Sequence, residues 1–346
     1  MDNILKLQKK IIPEMIDLLE KRYRILRNIY YNQPIGRRGL ANNLGIGERI
    51  VRAEVNFLKK QGLLEIKSMG MNVTDEGKII IDELKDFIHS LKDISGLQET
   101  VKAKLGVSSV IITPGNLDTE SLIFKDVCRT GANYLSEIID NSNEKKNIIG
   151  VTGGTTMAEL AEEMKEYKKE SDILVLPARG GIGKNLETQS NNIAAKLAEK
   201  IKGTYKLLHV PDNVGKEALE TLLQIDEIKE LNNMTKKMDI LVFGIGRADD
   251  MARRRKLNQS TLDLLNENGA VAEAFGYYFD INGEIKMESS TFGLKLADFK
   301  KIPTVIGVAC GTKKAEAIIA ISSLRENMTI VTDEGTAREI LECKNS

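Results

Sequence analysis

The sequence predicts two domains, a small, mainly helical one followed by a larger α/β one built on a mainly parallel, doubly wound sheet. Three observations lead there. The chain has 346 residues, more than one hydrophobic core usually serves. The first ninety residues carry apolar positions three and four apart, punctuated by glycines and one pair of alternating runs. Beyond residue 105, short β-branched runs alternate with helical patterns, as parallel sheets require. The boundaries fall at 1–92, connector helix included, and 93–346.

Composition narrows the classes. An apolar fraction of 42% with 29% charged residues is that of an ordinary globular chain and excludes disorder and fibrous structure. No run approaches the roughly 18 apolar residues of a membrane span, and Met1–Met15 is broken by charges without a cleavage pattern. A cytoplasmic protein with no membrane partner is expected. Cys128, Cys310 and Cys343 form no C-x-x-C spacing, so no disulfide framework, no metal site and no cofactor is expected, only small buried apolar groups. His89 and His209 lack the company of a ligand or base and are read as structural. The net charge is zero, yet between Lys21 and Lys67 eleven Lys or Arg face three acids. That segment carries +8 and the remainder −8. Such a front end suits a polyanion, although a charge run also serves as a plain solvated face.

In the first domain, Ile16, Leu19, Tyr23, Leu26 and Tyr30 form one stripe of a helix ending near Asn32-Gln33-Pro34. A short second helix closes at Leu44, and Gly45 supplies the tight turn. A third, from Gly47 to Gln61, buries Val51, Val55 and Leu58 and turns Glu48, Arg49, Arg52 and Asn56 outward, with Gly62 as its stop. Leu63–Lys67 and Met71–Thr74 alternate around Ser68-Met69-Gly70, a small hairpin. This order resembles the winged helix-turn-helix of bacterial repressors, with the third helix in the major groove of double-stranded operator DNA. Arg49 and Arg52 are placed for base contact, since Arg is bidentate to guanine. Glu48 either selects a cytosine or supports the helix N-terminus. Arg37, Arg38, Lys59, Lys60 and Lys67 are read as phosphate contacts. From Gly77 to Leu105 a connector helix presents Ile81, Leu84, Ile88 and Leu91 as a seam for a partner helix or for the chain's own large domain, interrupted at Ser95-Gly96.

In the second domain, strands are expected at Ser109–Thr113, Ile148–Thr152, Ile173–Pro177, Tyr205–Val210, Ile240–Phe243 and Thr304–Val308. Ligands of such sheets bind past the strand C-termini, and four loops there are unusual. Gly153-Gly154-Thr155-Thr156 is a glycine turn opening a helix, either an anion cradle or a threonine-capped turn. Arg179 lies among Gly180, Gly181 and Gly183. Gly244-Ile245-Gly246-Arg247 leads into Arg253-Arg254-Arg255, and Gly311 into Lys313-Lys314. No Gly-Lys-Ser/Thr follows the first loop, so a nucleoside triphosphate is disfavoured. Several cations and helix N-termini converging on one rim would favour a phosphorylated ligand over a neutral one.

These motifs, with Gly36-Arg37-Arg38, Glu48-Arg49, Pro177–Gly181 and Val308–Gly311, are similar to those of the SorC family of sugar-responsive regulators, nearly end to end. The resemblance implies an effector domain related to ribose-phosphate isomerase and glucosamine-phosphate deaminase folds. It implies sensing of fructose 1,6-bisphosphate, control of glycolytic operons, and a homo-oligomer, dimer or tetramer, on DNA. It further implies effector contacts at Gly153, Gly154, Thr155, Thr156, Arg179, Gln189, Arg254, Arg255, Glu273 and Lys314. Which of Arg253, Arg254 and Arg255 points inward stays open. The competing reading is a sugar-phosphate isomerase or deaminase with a DNA-binding appendage. Its chemistry needs a poised carboxylate base, for which Asp249 and Glu273 are the acids expected near the pocket, without a histidine. A catalytic set is therefore not expected.

Overall fold

The computed structural model describes residues 11–91, 94–142, 147–168, 170–180, 185–210, 216–289 and 292–343. Of these, the residues within Met1–Leu97 and Pro114–Ile123 form one compact unit, and those within Gln98–Thr113 and Phe124–Ser346 the other.

The first unit holds helices α1 (Pro13–Asn32), α2 (Arg37–Leu44) and α3 (Glu48–Lys60), strands β1 (Leu64–Lys67) and β2 (Gly70–Val73), and helix α4 (Asp75–Leu91). Gly45 closes α2 at φ +65°. β1 and β2 pair antiparallel from Leu64↔Val73 to Lys67↔Gly70, which is the expected wing. Ile16, Tyr23 and Leu26 of the α1 stripe are buried with Leu44, Val51, Val55 and Leu58 in one core. The same core takes up Ile81 and Ile88 of α4, with Leu84 packed against it. The seam is thus spent on the chain's own N-terminal unit, and this corrects both occupants expected for it. The side chains of His89 and Leu91 lie outside the described residues. Helix α5 (Ile94–Leu105) follows, with Ser95 and Gly96 in its first turn. The connector is thus two helices, as expected, but Ser95 and Gly96 lie within the second rather than between the two; first-turn residues make no intrahelical N–H bonds, so they tolerate Ser and Gly.

Thr74 joins α3 to α4. Its hydroxyl donates to the Gly62 carbonyl at 2.7 Å and accepts from the Gly77 N–H at 3.1 Å, capping α4. A Cβ on Gly77 would lie 2.2 Å from the Leu63 carbonyl oxygen, so only glycine lets the start of α4 pack on the segment that follows α3.

In the second unit β3 (Ser109–Thr113), α6 (Leu122–Asn141), β4 (Asn147–Val151), α7 (Thr155–Glu163), β5 (Ile173–Pro177), α8 (Ser190–Lys200) and β6 (Thr204–Tyr205) are followed by α9 (Lys216–Leu222), α10 (Asp226–Thr235), β7 (Ile240–Gly244), β8 (Gly246–Arg247), α11 (Ala248–Arg254) and α12 (Gln259–Glu267). Then come β9 (Ala272–Ala274), β10 (Tyr277–Phe279), β11 (Ile285–Glu288), α13 (Leu296–Phe299), β12 (Thr304–Val308), α14 (Ala315–Ser322), β13 (Thr329–Asp333) and α15 (Glu334–Glu342). Seven strands form one parallel sheet in the order β3-β13-β12-β7-β4-β5-β6. Every residue of β13 is buried, which requires cover on both faces. From β4 the chain winds outward through β5 and β6, then returns through β7 and β12 towards the other edge. The winding reverses between β4 and β7.

Two expectations are corrected. The run Tyr205–Val210 is strand only at Thr204–Tyr205; beyond Lys206 the Asn191 side chain binds both the N–H and the carbonyl of Leu208, so a side chain replaces the strand partner. The sequence reading also lacked β13 and a second, antiparallel sheet of order β11-β10-β9-β8. Cys128 and Cys310 are buried as expected, whereas Cys343 is half-buried, and His209 is exposed.

Replacing Gly77 with alanine should destabilise the N-terminal unit by about 1–3 kcal/mol, the usual cost of overpacking. Urea unfolding followed by circular dichroism would show it as a lower midpoint.

Candidate functional site

At the reversal point a cavity of about 340 Å³ opens at the C-terminal ends of β4 and β7, where ligands of open parallel sheets bind. Its lining begins with the loop Thr152–Thr156. Gly154 sits at φ +113°, ψ 163° as the cap of α7, and its N–H donates to the Thr188 carbonyl at 2.8 Å. A Cβ on Gly153 would come within 2.8 Å of that same carbonyl. The two glycines therefore let two strand-end loops touch, and α7 turns its first N–H groups, with their partial positive charge, towards the cavity.

Glu273 of β9, 3% exposed, also lines the cavity. Its Oε1 accepts from Arg179 Nη1 at 3.0 Å, from Arg255 Nη2 at 2.7 Å and from the Gly276 N–H at 2.8 Å. Arg179 is held in turn by its backbone, which bridges Gly293 and accepts from the Ser190 hydroxyl at 2.8 Å. Between β9 and β10, Phe275 adopts φ +55°. A bulky residue there is strained. Its ring stacks within 5.1 Å of Phe243 and 4.9 Å of Phe299, and both Phe243 and Phe275 line the cavity.

Arg254 and Lys314 supply the charge. Both line the cavity, and among the described residues neither has a carboxylate within ion-pair distance. Burial lowers the proton affinity of Lys314, and the Arg254 guanidinium lowers it further. Arg247 also lines the cavity, but it is paired with both oxygens of Asp249, at 2.9 and 3.0 Å. Burial pushes the Asp249 carboxyl up, and Arg247 outweighs it, holding that carboxyl below the usual range.

Of the residues expected here, Gly153, Gly154, Thr155, Thr156, Arg179, Arg254, Glu273 and Lys314 line the cavity; Gln189 and Arg255 do not. Gln189 ends a 3-10 turn just before α8, and Arg255 reaches Glu273 outside the lining. Among the three consecutive arginines, Arg254 faces the cavity and Arg253 faces outward, paired with Asp249 and Asp250. Asp249, expected at the pocket, is replaced there by Asp250. Gly181, Ile182 and Gly183 lie outside the described residues. Sequence reasoning missed Thr152, Asn185, Thr188, Met251 and Phe275; the last was hidden because the hairpin places Phe where Asn or Gly is the turn signal.

On the first unit, Glu48, Arg49, Arg52 and Asn56 of α3 are exposed, as are Arg38, Lys59, Lys60 and Lys67, while Arg37 is half-buried. Arg38 approaches Glu48 to 4.0 Å, and Lys67 pairs with Glu65. Glu54 is buried and takes Lys21 at 2.7 Å and Arg22 at 2.9 Å. Burial raises its carboxyl, and these two cations hold it below the usual range nonetheless.

Comparison with known proteins bears on both units. Residues 18–88 match the family described as "CggR N-terminal DNA binding domain" and residues 89–342 the one described as "Putative sugar-binding domain". A solved SorC family transcriptional regulator from Enterococcus faecalis is 35% identical with a TM-score of 0.65, covering 71% of this chain and 99% of its own. The chain belongs to the SorC family. Within it, the "Central glycolytic genes regulator" proteins of Priestia megaterium and Bacillus subtilis are 40% and 39% identical, over 99% of this chain and 99% of theirs. The full-length sorbitol operon regulator of Klebsiella pneumoniae, 20% identical with a TM-score of 0.65 over 94% of this chain and 98% of its own, shares the fold. These relatives are regulators, and this SorC protein is a sugar-responsive, DNA-binding transcriptional regulator and not an enzyme. Among the described residues no helix is long and apolar enough to cross a membrane.

For a base with a lowered proton affinity the folded state holds its proton less tightly than the unfolded state. The resulting penalty is full below the lowered folded-state pKa and fades as pH climbs from there towards the ordinary value of 10.5. The Lys314→Met variant should therefore melt about 2 °C higher at neutral pH, the shift roughly 1 kcal/mol brings in a chain of this size, and the gain should shrink at alkaline pH. Calorimetric melting at several pH values reads both.

Proposed function

We propose that the chain is a cytoplasmic repressor of glycolytic genes that loosens its hold on the operator when a phosphorylated sugar, fructose 1,6-bisphosphate, occupies the cavity of the second unit. The observation carrying this reading is the pairing of Arg254 and Lys314, two cations without acid partners among the described residues, beside the amide-rich start of α7. A dianion there gains charge-assisted hydrogen bonds from both. Glu273, with Oε1 taken by three donors, keeps Oε2 as an acceptor for sugar hydroxyls. Gly153 to Thr156, Arg179, Arg254, Glu273 and Lys314 are the contacts we assign, with Arg255 fixing Glu273 and Gln189 bracing the adjoining turn. The names of the Priestia and Bacillus relatives support the glycolytic assignment.

On the DNA side, Arg49, Arg52, Glu48 and Asn56 are assigned to base edges and Arg37, Arg38, Lys59, Lys60 and Lys67 to phosphates, with two or four copies reading paired half-sites. The working division is 1–92 for the DNA head and 93–346 for the sensor. Coupling of only about 1–3 kcal/mol between the two sites gives roughly 5- to 150-fold effects.

A gel-shift titration should show fructose 1,6-bisphosphate weakening operator binding by the wild-type chain. The Arg254→Ala, Lys314→Ala double variant should bind the sugar about 100-fold more weakly, each lost ionic hydrogen bond costing at least roughly 1.5 kcal/mol, and should stay on DNA at sugar levels that release the wild type. Unchanged operator affinity at saturating sugar defeats the reading.

A further inference from the structure

Helix α3 is apolar on two sides. Val51, Val55 and Leu58 are buried in the core. Away from them, Ile50, Ala53 and Phe57 recur at spacings of three and four and are all exposed, Ile50 at 47% and Phe57 at 38%. Phe57 has a companion, the Arg22 guanidinium 3.6 Å above its ring. Among the described residues Ile50 and Ala53 have no such cover, and they sit in the first two turns, the part of a recognition helix that reaches base edges.

Exposed β-branched apolar residues on a helix are single and scattered by default. Here the patch is bracketed by cations, Arg49 and Arg52 alongside and Lys59 and Lys60 in the last turn. That charge suits a polyanion and argues against an apolar protein partner. One group in the major groove is apolar, the 5-methyl of thymine, and short apolar side chains are its natural contact.

We infer that Ile50, supported by Ala53, reads the 5-methyl of a thymine in each half-site, next to the base read by Arg49. This rests on the DNA reading of the first unit and adds a specificity determinant of different chemistry. Cations on phosphates bind any sequence, and Arg49 discriminates by hydrogen bonding. Ile50 discriminates by shape and apolar contact, so it separates thymine from uracil, which offers the same hydrogen-bonding edge without the methyl.

The test uses the full chain and a duplex enriched from randomised DNA by repeated binding. Each thymine is replaced singly by uracil, and binding is read by fluorescence anisotropy at fixed salt. At one position per half-site, loss of the methyl should weaken wild-type binding about fourfold, the equivalent of ~0.8 kcal/mol for one buried methyl. Ile50→Ala should bind the thymine duplex as weakly as the wild type binds the uracil one and lose nothing more on the exchange. Ile50→Val, which keeps branched methyls, should retain sensitivity and shows that the alanine result is not misfolding. Methyl sensitivity persisting unchanged in Ile50→Ala, or absent at every thymine in the wild type, overturns the assignment while leaving DNA binding intact. Failure to enrich any duplex overturns the DNA reading and this assignment with it.

Discussion

The sensor unit is organised around one buried carboxylate. Glu273 Oε1 gathers two guanidinium groups and a backbone N–H from three segments: the distant end of β5, the end of α11 and the hairpin just after β9. Removing the acid would leave two buried positive charges facing each other, which is far costlier than never having buried them. The cluster therefore fixes the small antiparallel sheet against the rim of the large parallel one. It also fixes Phe275 in its left-handed conformation, because the Gly276 N–H that completes the cluster lies in the same two-residue turn. Strain in the turn is offset by aromatic packing and by an ionic hydrogen bond.

From that constraint the division of labour in the cavity follows. The acid offsets one of its two arginines' charges and, with them, makes a rigid frame behind part of the lining. Arg254 and Lys314, with the α7 N-terminus, also line the cavity and carry net positive potential in a partly desolvated space where charge counts for more than in water. The phosphorylated sugar we propose would find an acceptor in the first group and cations in the second.

Much of this was written in the chain in forms that local rules can decode. Gly153-Gly154 marks a strand-to-helix turn because Gly153 lies too close to the Thr188 carbonyl for a Cβ and Gly154 has a positive φ, and β-branched runs mark strands buried on both faces. The antiparallel sheet escaped because its strands are two to four residues long, too short for alternation to register. β13 escaped for a similar reason, its five residues mixing threonine and aspartate with two apolar side chains. The choice among Arg253, Arg254 and Arg255 depends on where α11 ends, and helix ends are set by tertiary contacts. In the first unit the order of helices and wing was legible throughout, but the seam on α4 satisfies a neighbour within its own unit as readily as it would a partner.

The buried Glu54 has an arithmetic consequence for the head. It engages Lys21 and Arg22 from α1, so one carboxylate holds two cations of that basic stretch and cancels one of their two positive charges before any duplex arrives. Each phosphate neutralised by a protein cation liberates condensed counterions, and cations already spoken for liberate none. The grip of this head on a duplex would then fade less steeply with ionic strength than its raw charge suggests, leaving a larger share of the affinity to groups that distinguish one base pair from another.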